Sequence, residues 1–207
     1  MTRDGVHGSA GILVQNDDYG ASFVEAMSVH LNRAGIRIAV EEKYGPEDFD
    51  ARTIAHRAIF KQPESIVLVG VGKNLGLLIR RLREYGYKGL IYASLGFRLV
   101  PGAIEAAGDD ARGIRYTQFL FDTSDPAYVS LALDYSERFG HELGAEALIA
   151  YNTVRLIWEC VKAVGADPAK VAQQLRSYHE FRGAGEMMTL TQQGDILPRL
   201  TVGTYED

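Results

Sequence analysis

The sequence predicts an α/β fold: an open, doubly wound, mostly parallel sheet, with a helical segment and a β hairpin appended at the C-terminus. Three observations predict it. Short apolar runs alternate with amphipathic stretches of about ten to fifteen residues, the pattern of βαβ units. Two of the runs, 65–69 and 90–93, are apolar without alternation, as strands covered by helices on both faces must be. Gly35, Pro63 and Gly86 stop the intervening helical patterns. Such a sheet takes ligands at the carboxyl ends of its strands.

The elements follow in order. The first ten residues are glycine-rich and polar and read as a loose lead-in. Ile12, Leu13 and Val14 make the first strand, and Asn16, Asp17 and Asp18 a turn. Phe23, Met27 and Leu31 recur every fourth residue and place one apolar stripe on a helix over 19–34. Ile36, Ile38 and Val40 alternate as a strand, and a helix opened by the stretch from Pro46 to Asp50 carries Ile54, Ala58 and Ile59. After strand 65–69, helix 75–85 and strand 90–93, a short helix is expected beyond Pro101 and a fifth strand over 114–121. Asp125 and Pro126 open a helix to about 139, with proline in the first turn. The helix over 145–164 carries Leu148, Tyr151, Val154, Leu156, Ile157, Trp158 and Val161, apolar on nearly every side, and is expected to be buried all round. Asp167 and Pro168 open another helix to about 177, and β-like runs follow at 187–190 and 200–202.

The bulk composition narrows the function. Of the 207 residues 46 % are hydrophobic and 24 % charged, ordinary for a globular chain long enough to bury a core. A net charge of -5 argues against non-specific nucleic-acid or anionic-membrane binding, which needs a basic surface. The basic cluster Arg80, Arg81, Arg83 lies beside Glu84 on a helix and reads as a solvated face. Cys160 is the single cysteine and sits in an apolar run, as a small core residue does. The residues from Met1 to Gly5 lack the apolar region of a secretory signal, so the chain is expected to be either cytoplasmic or a mature or excised piece of a secreted protein.

Few motifs carry chemistry. The stretch from Gly70 through Lys73 to Gly76 lies at a strand-to-helix turn, where glycines let backbone approach a ligand. Its spacing is GxGxxxG, and no acidic residue follows the next strand to hold a ribose, so a small-ligand loop is the better reading than a dinucleotide site. The five histidines lack metal-ligand spacing, the Asp17–Asp18 pair suits loop and cap roles, and no GxSxG elbow occurs. No catalytic residue, metal or cofactor is assigned. Tyr19 lies just past the first strand, where a ring face and a hydroxyl can meet a ligand, or where it caps the helix.

The order of these elements resembles the type I periplasmic binding proteins of the branched-chain amino acid and amide class. Ile12–Val14 with Asp18, Tyr19 and Gly20 resembles the first strand and turn of that family's second lobe. Phe49 and Asp50 with Pro63, then Gly70 to Gly76, then Arg80 to Gly86, follow its next steps. Tyr151 through Asp167 resembles its long helix, and Phe181–Gly183 with Gln193–Asp195 its closing hairpin. The resemblance implies a flavodoxin-like strand order, a lead-in at 1–10, a ligand-binding lobe over 11–140, a helical crossing segment over 141–180 that packs on a first lobe, and a β segment over 181–207. It implies a non-enzymatic, extracytoplasmic solute-binding component of an ABC transporter, with the transporter's membrane subunits as partners. It implies ligand contacts from Asp18, Tyr19, Val71, Gly72, Ser94 and Leu95. Val71 and Leu95 stand where amino-acid binders of that family carry a polar side chain and an acid, so the expected ligand is an amide, a carboxylate or an aromatic acid. A ligand-sensing domain of a regulator or receptor, and a nucleotide-binding Rossmann-like enzyme, are the alternatives. The apolar helix 145–164 is also expected to support a homodimer.

Overall fold

A computed structural model describes residues 1–45, 47 and 49–206. The strands are β1 (Ser9–Gln15), β2 (Arg37–Tyr44), β3 (Ser65–Val69), β4 (Leu90–Ala93), β5 (Arg115–Phe119), β6 (Glu180–Arg182), β7 (Met187–Leu190), β8 (Ile196–Leu197) and β9 (Leu200–Thr204). The α-helices are α1 (Asp18–Arg33), α2 (Ala51–Phe60), α3 (Lys73–Glu84), α4 (Gly96–Leu99), α5 (Ala103–Ala107), α6 (Pro126–Phe139), α7 (Ala145–Val164) and α8 (Pro168–Ser177). The chain forms two compact units, one of Met1–Gln118 with the residues from Val202 on, the other of Phe119–Thr201.

In the first unit the strand order is β2-β1-β3-β4-β5-β9. The pairs from β2 through β5 are parallel. β9 runs antiparallel to β5: Tyr205 N–H donates to Ile114 O and Leu120 N–H to Arg199 O, at opposite ends of the pair. This is the doubly wound, mostly parallel sheet expected, and its two faces show why the sequence winds it so. Leu31 of α1, with Phe23, Val24 and Met27, packs on Ile12, Val14, Val67 and Val69. Ile54, Ala55 and Ala58 of α2 and Leu75, Leu78, Ile79 and Leu82 of α3 join Leu13, Ile66, Leu68 and Ile91 on the opposite face. Burying each such aliphatic side chain contributes about 1.5–3 kcal/mol. The chain therefore leaves β1 toward one face and β3 toward the other, and the switch lies between their carboxyl ends.

Local chemistry sets the helix ends. The Asp17 side chain accepts from Gly20 N–H at 2.7 Å and starts α1, and Gly35 (φ 71°) turns the chain out of it. The helix α2 starts later than the sequence suggests. Asp50 is its cap, accepting from Arg52 N–H at 3.0 Å, so Asp50 ends a connection rather than lying inside a helix; Pro46 lies outside the described residues. Strand β2 extends to Tyr44, beyond Val40. A helical turn, α4, precedes Pro101 as well as α5 following it. Arg80 and Arg81 pair with Glu84, as a solvated helix face does.

Residues 1–10, expected as a lead-in, are tied to the sheet. Val6 is buried, Tyr92 donates to Asp4 Oδ2 at 2.6 Å, and Arg115 Nη1 lies 2.6 Å from Asp4 Oδ1. The Tyr92 hydrogen bond first, and the Arg115 charge after it, hold the Asp4 carboxyl below its ordinary value. A depressed folded-state pKa contributes stability that is complete above the unfolded value and lost as pH falls through the folded one. Asp4→Asn is expected to cost about 1–3 kcal/mol at pH 7 in urea unfolding. The difference from the parent chain should close below about pH 4; a constant difference across that window would assign the effect to packing.

In the second unit Asp125 caps α6 through Ala127 N–H at 2.7 Å, and Asp167 caps α8 through Ala169 N–H at 2.9 Å. Strands β6, β7 and β8 form an antiparallel sheet. Leu156, Phe181, Met188 and Leu190 pack together with Leu175 and Tyr178. Helix α7 buries Leu148, Asn152, Leu156 and Cys160, one stripe at four-residue spacing. It is not buried all round: Val154 is 65 % and Trp158 58 % exposed, with Tyr151 and Ile157 also exposed. The reason is geometric. An apolar residue on every side of a helix needs a neighbour on every side, and in this unit the β6–β7 hairpin and α8 supply partners for one stripe only.

Candidate functional site

The register of the sheet builds one edge. Gln15 pairs with Tyr44, Val14 with Val69, and Leu68 with Ala93, so β1, β2, β3 and β4 end side by side. The residues at or just beyond those ends are Gln15, Tyr44, Gly70 and Ser94. The Tyr44 hydroxyl donates to Val69 O at 3.1 Å, across the sheet edge. Burial, and the nearby Asp17 carboxylate, push the Tyr44 phenol well above its ordinary range, so it remains a donor. Gln15 is 8 % exposed and its Nε2 donates to Asp17 Oδ2 at 2.6 Å.

Ser94 locks the β3 and β4 ends together. Its hydroxyl donates to Gly70 O at 3.0 Å and accepts from Gly70 N–H at 3.4 Å. Gly72 N–H donates to Gly96 O at 3.5 Å. Gly72 sits at φ 61°, where a side chain would be strained, and starts α3. Gly96 is glycine for a different reason: a methyl there would collide with the Gly70 carbonyl and come within 2.8 Å of Val71 Cγ1.

Four of the six expected ligand residues, Val71, Gly72, Ser94 and Leu95, therefore lie in one bonded cluster. Val71 is 38 % exposed and Leu95 half-buried. Ser94 is fully buried with its hydroxyl engaged on Gly70, the geometry of a residue that holds the loop. Asp18 and Tyr19 stand at the foot of α1, beyond the end of β1, both exposed. The Tyr19 ring lies 6.1 Å from the Phe23 ring. A cleft of about 220 Å³ opens beside them, lined by Val14, Gln15, Asp17, Gly20, Val24 and Lys43 among others. Sequence reasoning missed Gln15, Tyr44 and Gly96. Tyr44 was not legible, because Glu41, Glu42 and Lys43 interrupt the apolar alternation before it. Gln15 and Gly96 gain meaning only from which strand end lies beside them.

Comparison with known proteins agrees with this geometry. The model of the family described as periplasmic binding protein matches residues 1–197. The "Leucine-, isoleucine-, valine-, threonine-, and alanine-binding protein" of Pseudomonas aeruginosa is 25 % identical over 187 residues, which is 89 % of this chain and 49 % of that protein. An "Amino acid binding protein" of the same organism is 25 % identical over 175 residues, 81 % of this chain and 45 % of that one. The chain thus spans about half the length of the curated relatives it matches. A leucine binding protein from Thermotoga maritima superposes with a TM-score of 0.87 at 20 % identity, over 99 % of this chain and 59 % of that one. A solute binding protein of an ABC transporter from Rhodopseudomonas palustris, crystallised with 3,4-dihydroxybenzoic acid, does so with a TM-score of 0.78 at 16 % identity, over 99 % and 57 %. At those identities the two structures speak to the fold; the family match, over nearly the whole chain, speaks to descent. The family match over residues 1–197, on a doubly wound sheet whose strands end at a glycine-lined edge, makes this chain a member of the periplasmic binding protein family.

Proposed function

We propose that the chain captures a small organic solute at the shared strand ends, performs no chemistry on it, and serves an ABC transporter's membrane subunits from the periplasm. The observation that carries the reading is the register of β1, β2, β3 and β4, which sets the Gly70–Gly72 turn and Leu95 side by side at the switch edge. Tyr19, Asp18, Val71, Gly72 and Leu95 are proposed to meet the solute, with Ser94 holding the turn. Periplasmic capture by hinge closure shares the binding energy between two surfaces, so one surface alone binds weakly.

Amino-acid binding by the named relatives suggests an amino acid, but Val71 and Leu95 offer no carboxylate to pair a buried ammonium. A neutral or acidic solute with an apolar or aromatic body fits better. Self-association through helix 145–164 has only the exposed face of α7 in its favour and forms no part of the reading. The test is a nitrogen–proton correlation titration of the chain with benzamide, benzoate and leucine at millimolar concentration. Benzamide or benzoate should shift the Val71, Gly72 and Leu95 amides, and Tyr19→Ser should weaken that binding on the order of tenfold, the value of a lost stacking ring. Leucine binding more tightly than either would overturn the solute class. No shift at those amides with any solute would overturn the site.

A further inference from the structure

We infer that the Gln15 side-chain oxygen is a ligand acceptor at the switch between β1 and β3, and that it selects a solute carrying an amide N–H over the matching carboxylate. The inference rests on the proposed solute capture and names the chemistry of that site. Gln15 ends β1, beside the end of β3, where the helices on either side of the sheet diverge. The residue as a whole is 8 % exposed, and it lines the cleft beside α1.

Its orientation is fixed by chemistry. Asp17 Oδ2 lies 2.6 Å from Nε2, and a carboxylate only accepts, so the amide nitrogen faces Asp17 and the oxygen faces away from it. The other Asp17 oxygen takes Gly20 N–H, so the carboxylate is itself held at the start of α1. Oε1 is turned toward Gly70, 3.3 Å from where a side-chain carbon there would begin. The Tyr44 hydroxyl, which also borders Gly70, is spent on Val69 O. Among the described residues Oε1 accepts no hydrogen bond. Unlike the Ser65 hydroxyl, this oxygen is not shut off from solvent, and Gln15 lines the cleft beside α1, so an acceptor held in place by Asp17 stays open to an incoming donor.

The surroundings support the same class. The residue beside Oε1 is glycine, and any side chain there would collide with the Tyr44 hydroxyl and crowd the Gln15 amide. Asp17 contributes a carboxylate behind the amide. An amide N–H donates to this acceptor, whereas a carboxylate brings lone pairs and negative charge against it.

Benzamide and benzoate are matched in shape and differ only in this respect, so they make the test. In titrations of the full chain, benzamide is expected to bind about tenfold more tightly than benzoate, and to shift the Gln15 side-chain NH₂ resonances together with Gly70. Gln15→Met keeps the volume and removes the acceptor, and should reduce the preference to about onefold without changing the dispersion of resonances elsewhere. The direct NH₂ readout in the unmodified chain stands on its own should that variant fail to fold. Benzoate binding as tightly as benzamide, or benzamide binding that is unchanged in Gln15→Met, would overturn the assignment while leaving solute capture at Val71 and Gly72 intact. Absence of any shift at Val71, Gly72 or Gln15 would overturn both.

Discussion

Asn152→Leu should be the most damaging single substitution in the second unit, at roughly 3–5 kcal/mol. Asn152 is fully buried in the middle of α7, on the stripe between Leu148 and Leu156. Its Oδ1 accepts from Ala184 N–H at 2.8 Å. Its Nδ2 donates to Ala184 O at 3.1 Å and to Glu186 Oε1 at 2.8 Å. One amide thus satisfies both backbone groups of a residue in the turn between β6 and β7. Leucine matches the volume, admits no water, and leaves both groups buried without a partner. Asn152→Ala opens room for water to replace the amide, and should cost less than leucine despite removing more atoms. Gly183 depends on the same contact, because a side chain there would begin 2.6 Å from the Asn152 amide carbon. Urea unfolding measures the cost. Hydrogen exchange places it, with protection lost from Phe181 to Leu190 and kept in β3. Equal cost for alanine and leucine would assign Asn152 to packing alone.

Gly96→Ala is the second large effect, and it falls on the candidate site. The added methyl would overlap the Gly70 carbonyl oxygen and lie 3.0 Å from Val71 Cα. Neither neighbour is the loose end of a flexible side chain, so the backbone must move. The Gly70 carbonyl also accepts from Ser94, so the shift breaks the bond that locks the two strand ends. A cost of about 3 kcal/mol is expected from overpacking. That lowers the melting temperature by roughly 6–12 °C in a chain of this size. Benzamide binding should fall at least as far, since Val71 and Gly72 carry the turn. Gly86→Ala is the control. Its backbone is left-handed at φ 83° and nothing lies within 4 Å of the new carbon, so it reports strain without collision. It should cost about 1 kcal/mol and leave binding unchanged. A Gly96→Ala protein as stable as the Gly86→Ala protein would show that the turn yields more easily than its contacts imply.

Much of the fold was legible in the sequence because burial is periodic. Strands β3 and β4 were bounded to the residue, since a run covered on both faces has no polar position to blur its ends. Helix α7 was bounded equally well. Its surroundings were not, because the hydrophobicity of a helix records which sides seek a partner but does not record which partners are present. Boundaries that depend on a single side-chain bond were misplaced. The start of α2 rests on whether the Asp50 carboxylate reaches Arg52 N–H, and no periodicity announces that.

The site divides along the same line. The sequence by itself determined that strands and helices alternate, and that Tyr19, Val71, Gly72, Ser94 and Leu95 lie near the carboxyl ends of the strands. Each of these follows from local spacing. Only the tertiary structure decided that Ser94 is a brace on Gly70, that Gly96 is fixed by contact with a neighbouring turn, and that Gln15 turns an unpaired oxygen toward Gly70. Those roles are set by strand order and register, which bring residues 24 to 55 positions apart within a few ångströms. Chain neighbours constrain a residue's conformation, but what a buried polar atom can do depends on which atoms pairing has placed beside it.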